Sequence, residues 1–70
     1  MNESLANAIK ENYGDLKSFA AQVGESQKFV KDVIEQKEIL TVINEIEWAD
    51  ILGCMPYEIG LDGPVRDVDL

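Results

Sequence analysis

The side chains able to do covalent chemistry in this chain are few. There is no histidine and one cysteine, Cys54, so imidazole ligation, an imidazole general base, an internal disulfide and a multi-cysteine zinc site are all excluded. Cys54 follows Gly53 beside apolar neighbours and reads as a buried structural thiol, not a nucleophile. The expectation is a protein that is not an enzyme, without metal or cofactor. What remains is a cluster of recognition groups: Gln27, Lys28, Lys31, Asp32 and Glu35, woven between the apolar Phe29, Val30, Val33 and Ile34. On a helix, residues four apart are neighbours, so Lys28 can pair with Asp32 and Lys31 with Glu35. The two lysines are either a solvated face with local ion pairs or contacts for a partner. Phe29 is either core or the centre of a binding patch.

That cluster is carried by two short helices and a turn. Phe19, Ala20 and Val23 fall on one helical face, and Gly24 stands where a helix end needs positive φ. Ser26 is a ready N-cap for the run that follows. The small side chain of Ala20 lets two helices cross closely. A first helix is expected over about residues 2–12, with Leu5, Ala8, Ile9 and then Tyr13 on one face and Gly14 as the stop. Asp15 should cap a second helix over 16–23, and the third should cover about 27–36. A fourth is expected from Val42 to Leu52 behind a Thr41 cap, with Val42, Ile43, Ile46, Ala49 and Leu52 as its buried stripe. Trp48 lies beside that stripe, while Glu45, Glu47 and Asp50 read as solubilising. Pro56 opens a short fifth helix, Pro56 to Ile59. Gly63-Pro64 signals a turn, and Val65 and Val68 suggest an extended or loose tail.

Seventy residues allow one small domain, in which hydrophobic burial barely exceeds chain entropy. Pairing with another chain, including a homodimer, is therefore a live expectation. The hydrophobic fraction of 46% argues against wholesale disorder. No apolar run approaches the ~18 residues of a membrane span, and the first residues lack the basic start and apolar stretch of a signal peptide. An intracellular protein is expected. The charge is lopsided, with 14 acids against 6 bases and a net −8. Residues 1–40 hold five lysines and seven acids, whereas residues 41–70 hold Arg66 and seven acids. Long-range repulsion from nucleic acid follows.

Two segments, FAAQVGESQKFVKDVIEQK (Phe19 to Lys37) and WADILGCMPYEI (Trp48 to Ile59), resemble the Cro/repressor-type helix-turn-helix family, also called XRE. With the linking helix they cover about 40 of the 70 residues. The resemblance implies an all-α, lambda-repressor-like bundle of four or five helices containing a helix-turn-helix over residues 1–60, with a tail over 61–70. It also implies a third helix that enters the DNA major groove through Ser26, Gln27, Lys28, Lys31, Asp32 and Glu35. Gln27 suits adenine N6 and N7, and Lys17, Lys28 and Lys31 suit phosphate. The sequence departs from the family pattern at Glu25, where an apolar residue is usual, and at Ile34, where an acid is usual. An apolar side chain is thereby expected toward the surface near Phe29 and Ile34.

A typical DNA-binding domain makes about six to ten phosphate contacts, a demand that six scattered bases opposed by 14 acids meet poorly. An acidic body is instead drawn to the basic face of a repressor. Small phage modulators of repression, or antirepressors, are a subset of the same family and are similar in length and acidity. The primary expectation is such a regulator, acting on a partner repressor through Gln27, Lys28, Phe29, Lys31, Asp32 and Glu35 in the cytoplasm of a bacterial host. The alternative is a Cro-like repressor that binds its operator directly. A purely structural dimer module is the third.

Overall fold

The computed structural model describes residues 1–61. The turn and tail expected at Gly63-Pro64, Val65 and Val68 lie outside the described residues. Among those described, all regular structure is helical: α1 (Glu3–Tyr13), α2 (Leu16–Val23), α3 (Gln27–Ile34), α4 (Val42–Leu52) and a 3-10 turn, Pro56–Ile59.

Local side-chain chemistry sets most of these boundaries. The side chains of Asn2, Asp15, Ser26 and Thr41 each accept a hydrogen bond from a first-turn N–H of the helix that follows, satisfying donors that no helical carbonyl can reach. Asn2 is therefore the cap of α1, not its first residue. Gly24 ends α2 at φ 76°, and its N–H and that of Glu25 both donate to the Ala20 carbonyl. The third helix stops at Ile34, two residues before the end expected at Gln36. Gln36 itself takes φ 65°, and the N–H groups of Lys37 and Glu38 fold back onto the Asp32 carbonyl. It is a left-handed helix ending without the usual glycine, which is why composition did not reveal it.

The core gathers Leu5 and Ile9 of α1, Phe19 and Ala20 of α2, Val30, Val33 and Ile34 of α3, and Trp48, Ala49 and Leu52 of α4, closed by Leu40, Ile59 and Leu61. Leu61, expected in the tail, is thus packed against the bundle. Phe19 is fully buried at the centre, with the rings of Tyr13 and Trp48 set edge-on to it at 5.4 and 5.1 Å. Such edge-to-face pairs add about 0.5–1.5 kcal/mol each beyond the area they bury. Ala20 is buried too, as expected of a small side chain between close helices.

The fourth helix sits differently from its expected stripe. Ala49 and Leu52 are inside, but Ile43 and Ile46 are 76% and 53% exposed, and Val42 is at the surface too. Trp48 and Glu45 take the interior places instead. The reason is volume and shape: the indole fills the gap beside Phe19, and turning it inward carries Glu45, one turn earlier, in with it. Glu45 is consequently not a solubilising residue, whereas Glu47 and Asp50 are exposed.

Asn2 locks the two ends of the described chain together. Its Oδ1 accepts from the Leu5 N–H at 3.1 Å, its Nδ2 donates to the Ile59 carbonyl at 2.9 Å, and its backbone N–H donates to the Ile34 carbonyl at 2.7 Å. Gly60 lies against this side chain at φ 72°, where a Cβ would come within 2.5 Å of Asn2 Oδ1.

Candidate interaction faces on the third and fourth helices

Ser26 fixes the start of α3 by accepting from the Phe29 N–H at 3.1 Å. Val30, Val33 and Ile34 then turn inward, which leaves Gln27, Lys28 and Lys31 exposed, with Asp32 and Glu35 half-buried beside them. The structure thus brings five of the six candidate residues to one side of α3. The ion pairs differ in part from the expected spacing. Lys28 Nζ lies 2.8 Å from Asp32 Oδ2, as the four-residue interval predicts. Glu35 pairs with Lys37 at 3.1 Å and not with Lys31, because Gln36 reverses the chain and returns Lys37 to the end of the helix. The hydrogen bond from Lys28 holds the Asp32 carboxyl below its ordinary range, and the same bond raises the Lys28 ammonium.

Phe29 is separated from this polar row. It is half-buried, packed against the core, and its ring meets Trp48 edge-on at 6.4 Å. Ile34 is only 7% exposed. The surface apolar patch expected near Phe29 and Ile34 therefore does not form. The helix is short, and once Val30 and Val33 point inward, Ile34 must lie beside them. Glu25, the other departure from the family pattern, is exposed, where an acid is ordinary.

The apolar surface lies on α4 instead. Val42, Ile43, Ile46, Glu47 and Asp50 form its outer side, and Ile39, just before the helix, is exposed as well. This helix contains no lysine or arginine. Sequence reasoning missed the face because the segment carries two overlapping apolar stripes. Periodicity does not rank the two stripes; the edge-on packing of Trp48 against Phe19 and Phe29 decides which one turns inward.

Elsewhere the chemistry is sparse. Cys54 is half-buried rather than fully buried, and its thiol is pushed up by desolvation and, secondarily, by Glu58. A cleft of about 280 Å³ opens between Asn2, Gln36, Leu40, Glu45 and Leu61, and another of about 350 Å³ lies between Ser4, Asn7, Cys54 and Glu58. Among the described residues there is no group of three or more histidine, cysteine, aspartate or glutamate side chains placed to hold a metal ion. Nor is any helix among them long and apolar enough to cross a membrane. Compared with known proteins, the chain matches no family model, no curated protein and no solved structure.

Proposed function

We propose that this chain is a phage-type transcriptional regulator, a modulator of repression that binds a partner repressor and alters its operator binding. In this reading α2, the Gly24 turn and α3 form a helix-turn-helix, and the protein acts by binding alone, without a catalytic step or cofactor. Gln27, Lys28, Lys31, Asp32 and Glu35 meet the partner, and Phe29 holds the helix that presents them.

One observation carries the reading: of the three cations on α3 and at its end, Lys28 and Lys37 are already engaged by acids of the same face, which leaves Lys31. Lys28 is held by Asp32 and Lys37 by Glu35, in a chain of net charge −8. A phosphate backbone approaching this face would meet two carboxylates along with the lysines, and releasing Lys28 or Lys37 would expose an acid to DNA. A basic protein surface meets the same acids with attraction. Gln27 favours the second reading, direct operator binding, since its amide is exposed on the first turn of α3.

A mobility shift at low salt decides between them. The DNA comes from the flanking regulatory region, with and without any repressor found encoded near the gene. The expected result is no band from this protein alone and a changed band when the repressor is present. A salt-sensitive band from the protein alone, weakened by Gln27→Ala, would overturn the proposal in favour of a Cro-like DNA binder.

A further inference from the structure

The structure assigns a second recognition surface to the outer side of α4: a docking face for a protein helix whose apolar stripe is flanked by lysine or arginine. It is separate from the polar row of α3 and does not rest on the function proposed above. Three observations support it. First, Ile43 and Ile46 are 76% and 53% exposed on adjacent turns, and Val42 joins them, so one helix carries a ridge of three of the exposed large apolar side chains, the others among the described residues being Met1, Ile39, Met55 and Tyr57. In a folded monomer such a contiguous ridge marks an interaction surface more often than isolated exposed residues do. Second, Val42 and Ile46 stand four residues apart, the interval that lines side chains into a ridge able to pack into the groove of another helix. Third, the charges beside this ridge have one sign. Glu47 and Asp50 flank it, and α4 offers no base to balance them.

The third observation selects the occupant. A second copy laid across the same face would bring together two chains that each carry −8, and neither α4 holds a base to pair with the other's Glu47 and Asp50. Phosphate, whether of nucleic acid or of an anionic membrane, meets the same repulsion. A helix with leucine or isoleucine at its centre and lysine or arginine at its edges covers the ridge and pairs both acids. Trp48 and Ala49, on the opposite side of the helix, hold α4 in place and take no part in the contact.

The test uses the full chain and two synthetic helical peptides with one shared leucine stripe, flanked by lysine in one and by glutamate in the other. Fluorescence anisotropy reads binding, and Trp48 fluorescence with helical circular dichroism checks that each variant is folded. The lysine-flanked peptide should bind, more weakly as salt rises, with at least about a tenfold loss in the Ile43→Asp/Ile46→Asp variant. Glu47→Lys/Asp50→Lys should switch preference to the glutamate-flanked peptide, a gain that misfolding cannot imitate. Equal binding of both peptides, binding of neither, or indifference to the Ile43 and Ile46 substitutions would overturn the proposal. So would sedimentation as a dimer that Ile43→Asp dissociates, since the occupant would then be a second copy.

Discussion

The contact between Asn2 and Gly60 predicts a measurable energetic coupling between residues at opposite ends of the described chain. Replacing Asn2 with alanine removes the cap of α1, worth about 1 kcal/mol. It also leaves the partly buried Ile59 carbonyl without its donor, for roughly another 1 kcal/mol. Gly60→Ala acts on the same two bonds from the other side. An alanine at φ 72° costs about 1 kcal/mol in backbone strain. Its Cβ, 2.5 Å from Asn2 Oδ1 and 2.7 Å from Nδ2, must push that side chain out of both hydrogen bonds, adding about 2 kcal/mol. The single variants should thus lose about 2 and about 3 kcal/mol. The double variant should lose about 3 and not about 5, because the bonds can be lost only once and alanine at position 2 leaves room for the new methyl. Asn2→Asp separates the two parts, since it keeps the cap acceptor but cannot donate to Ile59, and should lose about 1 kcal/mol. Urea unfolding followed by Trp48 fluorescence reads the native protein and all four variants, with sulfate present to keep the weaker variants folded. Losses that add to within about 0.5 kcal/mol would refute this account of the contact.

The orientation of α4 predicts that Ile43→Ser changes stability by no more than about 0.5 kcal/mol, whereas Trp48→Ala costs about 3–5 kcal/mol and unfolds much of a domain this small. A loss above about 2 kcal/mol for Ile43→Ser in urea titration would place that residue inside after all. The Asp15 carboxylate, which accepts from the Ser18 N–H at 2.8 Å, is held below its ordinary value of 3.8 by that bond. The folded state therefore binds fewer protons there than the unfolded chain, so this contribution is present above about pH 4 and lost as pH falls through the folded value. Asp15→Asn keeps an acceptor that does not titrate. The stability advantage of the native residue should shrink on acidification, and an advantage that grows toward low pH would contradict the sign.

Much of this protein was legible in its residues because the deciding interactions are local. Asp15, Ser26 and Thr41 cap from three residues away, and Gly14, Gly24, Gly53 and Gly60 mark helix ends through their own backbone freedom. The Lys28–Asp32 pair follows from the pitch of one helix. These features need no knowledge of what the helices touch, so the order of elements and the polar row of α3 could be read in advance. The remainder depended on competition between distant parts of the chain. Gln36 adopts a left-handed turn that its side chain does not favour. Ile34 is held in the core just before it, and the Asn2 N–H takes up the Ile34 carbonyl, so the helix has to end there.

Where most of the helices start and stop, the end of α3 apart, and the Lys28–Asp32 pair along α3 follow from the order of residues alone, because those outcomes depend on neighbours within about one turn. The rotation of α4 does not. Both of its stripes are apolar, and periodicity cannot rank them. Packing in three dimensions can: Trp48 fits edge-on against Phe19 at 5.1 Å and against Phe29 at 6.4 Å, so it turns inward with Glu45, and Ile43 and Ile46 are left facing solvent.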